Sequence, residues 1–282
     1  MTETNATFLP GTTVDRVALR VNDIDRVSAF YEGVVGLELQ AKNEQEATLG
    51  AGDERLLELI GDGDASKRER DETGLFHTAF LVPSRSALTD ALVRIEEKWE
   101  LSGASDHLVS DALYLSDPEG NGIEVYCDRP RETWPVGENG HVQMDTLALD
   151  IDELRGQGTA SKTIPAETVV GHVHLEVSSI ATAREFYADV LGMTVRQQYG
   201  SAALFLASDD YHHHIGLNVW NNRSESGNGR GLEWFELVVP DHDALEAIRE
   251  RFAERGVTVT PTERGFEVTD PDEIAVRFRS DE

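Results

Sequence analysis

The residues of this sequence that could do chemistry are mostly histidines set on apolar strands. His77 lies in GLFHTAFLV, where a lone imidazole is either a hydrogen-bonded core residue or a ligand. Glu124 lies in GNGIEVY, and a carboxylate on such a strand is costly to bury without a cation or an Arg partner. His172 and His174 are two apart in GHVHLEV, so both face one side of a strand, and one can bind metal while the other lines a pocket. His212, His213 and His214 form a run that reads by itself as an adventitious metal tract or a solvated turn; at the opening of the last strand of its unit, alternation would put His212 and His214 on one face and His213 on the other. Tyr114, in ALYLSDP, would otherwise be a core residue with its hydroxyl at the rim, and His107 precedes it in SDHLVS. Nothing marks Cys127, at a strand end, as a nucleophile.

The elements that must position these residues come in repeats. Val14 to Leu37 (VDRVALRVNDIDRVSAFYEGVVGL) aligns without a gap on Val170 to Met193 (VGHVHLEVSSIATAREFYADVLGM). His77 to Leu88 matches Trp234 to Leu245 around a shared Val-Pro, and Ser116-Asp117-Pro118 matches Thr269-Asp270-Pro271. A unit therefore begins near Val14, Leu75, Val170 and Leu232. Each opens with period-two alternation, a half-buried strand, and passes through a polar turn into a stretch of helical period. In the first unit Asp23 or Asp25 caps a helix whose apolar side carries Ile24, Val27, Phe30, Tyr31 and Val34 and which ends at Gly36. Ser179 to Gly192 does the same in the third, and short strands follow each helix, giving β-α-β-β-β.

The expected organisation is an arm over 1–13, a first pair of units over 14–130, a linker over 131–168 and a second pair over 169–282. The linker is rich in Pro, Gly and charge, with one amphipathic patch, Thr146 to Leu154, expected to pack a helix across the join. Residues 61–73 read as an exposed loop. With 25 basic and 53 acidic residues the net charge is −28, which removes the electrostatic footprint for nucleic acid or anionic lipid. Acid in such excess, with Lys42, Lys67, Lys98 and Lys162 as the lysines, fits a salt-loaded cytoplasm where repulsion is screened. One cysteine permits no internal disulfide, and without a long apolar run or a leader-like N-terminus membrane and secretory readings are set aside.

These motifs, above all GHVHLEV with REFYADVLGM and the D-P-x-G-N-x-I-E strand of ALYLSDPEGNGIEVY, resemble the vicinal oxygen chelate superfamily. That superfamily includes glyoxalase I, fosfomycin and bleomycin resistance proteins and extradiol ring-cleaving dioxygenases. The resemblance covers the chain apart from arm and linker and is strongest to the two-domain catechol-2,3-dioxygenase group, on YHHHIGLNVW and SDHLVSDALYLSDP. It implies an α+β fold of four βαβββ modules forming two curled mixed sheets, with metal ligands at fixed slots on the first and last strand of each module. By the repeat, those slots hold Arg16 and Glu58, His77 and Glu124, His172 and Asn218, and Trp234 and Arg277.

If modules two and three pair, one cavity collects His77, Glu124 and His172, and the other collects Arg16, Glu58, Trp234 and Arg277. Consecutive pairing would instead offer His77, Glu124 and Glu58, with Arg16 beside the cation. Two imidazoles and a carboxylate on one face of an octahedron suit Fe(II), with Mn as a substitute. The resemblance further implies an extradiol dioxygenase acting on a small aromatic diol with O2. His213 would be its acid–base residue with His214 as the alternative, Tyr114 the donor to the ring oxygen, and His107, His174 and His214 substrate-binding pocket residues. A glyoxalase-like isomerase with Zn or Ni would want a second carboxylate where Asn218 stands, and a metal-free aromatic-binding protein would need none of these ligands. Uncovered sheet edges leave room for a homodimer.

Overall fold

In a computed structural model, residues 11–138, 140–156, 158–159 and 161–281 are described. The first ten residues of the expected arm lie outside that set, whereas Thr12 is buried and Thr13 already opens a strand. Module one comprises β1 (Thr13–Val21), α1 (Ile24–Phe30), β2 (Glu38–Lys42), β3 (Glu46–Ala51) and β4 (Glu54–Gly61). Module two comprises β5 (Gly74–Leu81), α2 (Arg85–Lys98), β6 (Gly103–Asp106), β7 (Ser110–Ser116) and β8 (Gly122–Asp128). The linker carries β9 (Leu147–Ala148) and α3 (Ile151–Arg155). Module three follows with β10 (Val169–Glu176), α4 (Ile180–Arg184), β11 (Thr194–Tyr199), β12 (Ala203–Ala207) and β13 (Ile215–Asn218). Module four has β14 (Gly231–Val239), α5 (His242–Glu254), β15 (Thr260–Pro261), β16 (Gly265–Thr269) and β17 (Ala275–Ser280).

The strands form two mixed sheets, each built from one module of either half. One runs β15-β16-β17-β14-β1-β4-β3-β2, and the other β11-β12-β13-β10-β5-β8-β7-β6-β9. The joins are antiparallel pairings of module-opening strands, β1 with β14 and β5 with β10, while each module closes by a parallel pairing of its first and last strands. Modules two and three thus share a sheet, as do one and four.

Local chemistry explains the repeat signatures. Asp23 accepts the Arg26 N–H at 2.9 Å and caps α1, and Ser179 accepts the Thr182 N–H at 3.3 Å and caps α4. Both helices then widen into π-helical turns, Tyr31–Val35 and Glu185–Val190, which seat the Phe-Tyr pairs in the core. Gly36 and Gly192 follow at φ 92°, the left-handed conformation glycine supplies without strain. The D-P-x-G-N motif proves to be turn chemistry. Asp117 Oδ1 accepts the N–H groups of Glu119 and Asn121 at 2.8 and 2.9 Å, and the Asn121 amide donates to Oδ2 at 2.7 Å. That turn launches β8 in register to deliver Glu124.

The linker departs from expectation in one respect. Of the Thr146 to Leu154 patch, only the end is helical, because Leu147 and Ala148 pair with Asp106 and Ser105 on the free edge of β6. An exposed sheet edge offers unpaired backbone groups, and two linker residues take them. Among the described residues no helix is long and apolar enough to cross a membrane.

Candidate metal centre and substrate cavity

Backbone register brings the chemical residues together. Across the sheet of modules two and three, Tyr114 stands opposite Glu124, Glu124 beside Ala79, and Ala79 opposite His172. One step along β5, His77 stands opposite His174, which in turn neighbours Gly216. The centre of the array is thus small. Ala79, fully buried, leaves the space over β5 into which Glu124 and His172 lean from either side, and Gly216 leaves room for the His174 ring, 3.0 Å from where a Cβ would sit. Replacing Ala79 by Leu fills that space with three carbons that have nowhere to go. The Ala79→Leu protein is expected to stay folded yet hold metal at least about tenfold more weakly, measured by competition with a chelator.

His77 Nε2 lies 3.0 Å from Glu124 Oε2, His172 Nε2 lies 3.3 Å from the same oxygen, and the two nitrogens are 3.3 Å apart. Metal–ligand bonds of about 2.1 Å at right angles hold neighbouring donor atoms about 3 Å apart, so this triangle has the dimensions of one octahedral face. The protonation states agree. Burial above all pulls His172 down to about 4, leaving it neutral with a lone pair to give. Burial alone would raise Glu124, but the His172 ring and then the His77 ring outweigh it and hold the carboxyl well below its ordinary range. Three lone-pair donors this close repel one another unless a cation or proton lies among them. The residues fit a divalent metal, and among the described residues they form the cluster of this kind.

A cavity of about 280 Å³ opens over the triangle, lined by all three residues and by Tyr114, His107, His174 and His213. Phe76, Phe205 and Trp220 form an aromatic wall, with Phe76 and Trp220 edge to face at 5.3 Å. Tyr114 Oη and His107 Nε2 are 2.6 Å apart, and burial, followed by the Glu124 charge, raises the phenol well above its usual range, so it keeps its proton. His174 Nε2 is buried with no partner in the protein, and burial pushes that imidazole well below its ordinary value. The linker supplies the remaining wall: Gln197 donates to the Met144 carbonyl at 2.9 Å and accepts the Met144 N–H at 2.6 Å, and Tyr199 also donates to that carbonyl.

The histidine run behaves differently from a strand. It precedes β13 in an irregular turn, so the alternation expected of strand side chains does not apply. His213 enters the cavity wall with its ring 4.1 Å from that of His172, and burial lowers its pKa well below the ordinary value. His214 stands apart from the cavity, its ring stacked on Tyr211 at 5.1 Å and its Nδ1 accepting the Ser208 N–H at 3.3 Å. His212 instead touches both His213 and Asp128. Asp128 was not among the residues singled out in the sequence, although it shares a strand face with Glu124 and Tyr126 by period two.

The corresponding place in the other sheet holds ion pairs. Arg16 Nη1 lies 2.5 Å from Glu58 and its Nε 3.0 Å from Glu236, while the Arg277 guanidinium lies 4.1 Å over the Trp234 ring. Glu58 is therefore committed to Arg16, remote from His77 and Glu124. Asn218 spends its amide on backbone, accepting the Trp220 N–H at 3.1 Å and donating to the Leu175 carbonyl at 3.4 Å, so no fourth charged donor joins the triangle.

Paired βαβββ modules around such a donor set define a class, and the chain belongs to it: the profile of the Glyoxalase/Bleomycin resistance protein/Dioxygenase superfamily matches residues 13–125 and 169–278. Within that class the chain is 40% identical over 261 residues to a catechol-2,3-dioxygenase of Bacillus subtilis, covering 90% of this chain and 92% of the relative. It is also 27% identical over 143 residues to biphenyl-2,3-diol 1,2-dioxygenase 3 of Rhodococcus globerulus, covering 48% of this chain and 75% of that one. The fold is similar to that of glyoxalase I from Zea mays, with a TM-score of 0.60 at 17% identity over 95% of this chain and 92% of the other.

Proposed function

We propose that the chain is an extradiol ring-cleaving dioxygenase, a catechol-2,3-dioxygenase-like oxidoreductase acting on a small aromatic diol and O2. The observation that carries the reading is the His77, Glu124 and His172 triangle at the floor of an aromatic-walled cavity, in a chain 40% identical to a catechol-2,3-dioxygenase. Two imidazoles and one carboxylate suit ferrous iron, which when bound supplies the Lewis-acid and one-electron chemistry that lets diol and O2 react.

The protein's own groups do the rest. Phe76, Phe205 and Trp220 hold a flat ring and exclude water, and the Tyr114 hydroxyl, protonated and resting against His107 Nε2, turns its proton to a substrate oxygen when one is bound. The unpartnered His174 Nε2 offers that oxygen a second partner. His213, neutral in its buried place, accepts the proton that a diol hydroxyl loses on binding and returns it to the departing oxygen. The isomerase reading lacks its second carboxylate, because Asn218 is turned to the backbone.

The cavity lining contains Glu124 and Asp145 but neither lysine nor arginine. A ring carboxylate would enter without a counter-charge, so catechol is expected to be cleaved with kcat/KM at least about tenfold above that for 3,4-dihydroxybenzoate. Oxygen uptake by anaerobically iron-loaded protein, followed with both diols for the yellow semialdehyde product, tests this. Absence of uptake with every catechol removes the dioxygenase reading. The −28 net charge supports a salt-adapted cytoplasmic enzyme.

A further inference from the structure

Asp128 closes β8, four residues beyond Glu124, so one strand supplies both the carboxylate at the metal triangle and a second carboxylate behind the histidine run. Asp128 Oδ1 is 3.1 Å from His212 Nε2, and His212 Nδ1 is 2.7 Å from His213 Nδ1. With Asp128 as the carboxylate and each imidazole carrying a single ring proton, these contacts have one polarity. An ionised carboxylate only accepts, so the proton between Asp128 and His212 sits on His212 Nε2. A neutral imidazole carries one ring proton, so His212 Nδ1 is bare and must accept. The proton in the second contact then belongs to His213 Nδ1, and His213 Nε2 is left with a lone pair.

We propose that Asp128, acting through His212, is a positioning residue that fixes His213 as its Nδ1–H tautomer, with the bare Nε2 available to take a substrate proton. The proposal rests on the dioxygenase reading for its consequence, but not for its geometry. Packing holds the chain in place: the His212 ring lies 4.0 Å from that of Tyr211 and 5.3 Å from that of Trp134, and His213 lies 5.0 Å from Phe205. The arrangement accounts for a consecutive pair of buried histidines of which one lines the cavity. A reversed chain would present an N–H where a base is needed.

Asp128→Asn tests it, because the side chain keeps its size while its amide can donate as well as accept, which releases the polarity. Imidazole 15N spectra of the full chain, loaded with diamagnetic zinc in place of iron, read the tautomer directly. The wild type is expected to show His213 protonated on Nδ1, and the Asn variant to show a mixture or the Nε2–H form. In iron-loaded protein kcat for catechol is expected to fall about 10- to 100-fold, with KM and iron content within about twofold of wild type. A wild-type His213 protonated on Nε2, or an Asn variant that keeps the Nδ1–H form, overturns the proposal whatever kcat does. If the wild type fails to cleave catechol, the dioxygenase reading falls, and the spectra still decide the tautomer.

Discussion

His172→Ala is expected to strip the site. After anaerobic loading with Fe(II) and desalting, the variant should retain less than about a tenth of the wild-type iron and lose at least about a thousandfold in ring cleavage, because two donors cannot hold a cation that three hold on one face. Burial gives the expectation its force: His172 and Glu124 are both sheltered from water, so loss of the imidazole leaves a buried carboxylate with one partner instead of two. Glu58→Ala is the matched control, since Glu58 sits in the other sheet against Arg16 and its loss should leave iron content unchanged. Elemental analysis of the two variants side by side checks the outcome. Iron retained by His172→Ala and lost from Glu58→Ala would mean that the modules pair consecutively after all.

The second large effect is on turnover alone. His213→Ala should lower kcat by about 10²- to 10⁴-fold, the usual worth of a positioned acid–base group, while iron content stays at the wild-type level and KM changes by no more than a few-fold. The ring lies against His172 without belonging to the triangle, so the metal has no reason to leave. His214→Ala should have a far smaller effect, since that ring faces Tyr211 and the Ser208 N–H. Steady-state kinetics with catechol, alongside the iron content, separate the cases, and equal losses from both variants would remove the acid–base role from His213.

Much of this was legible in the chain itself. The repeat sets the modules, because strand alternation, helix cap and Gly36 or Gly192 recur in two copies that must fold alike. Sorting the slot residues by chemistry already separated His77, Glu124 and His172 from Arg16, Glu58, Trp234 and Arg277, and the two sheets divide along that line. What could not be read is equally physical. The histidine run lies in a turn, where no period says which way a ring points, so neither the seclusion of His214 nor the contact of His212 with Asp128 was visible. The Met144 segment has no motif; its place on the cavity wall follows from pairing of its neighbours with a free sheet edge and from the Gln197 amide. The D-P-x-G-N signature was the most specific in the sequence, and it turned out to act one step away from the chemistry, through the turn that sets β8.

Each sheet takes one module from either half, and His77 and His172 meet across 95 positions of chain. A cation seated there is a clasp between two duplicated pieces of polypeptide. It binds only where the fold has brought the donors together, so its removal should loosen the union of the halves as well as silence the centre. Neither copy of the ancestral repeat, cut loose from its sibling, retains all three donors, and the duplication has become irreversible for the chemistry it houses.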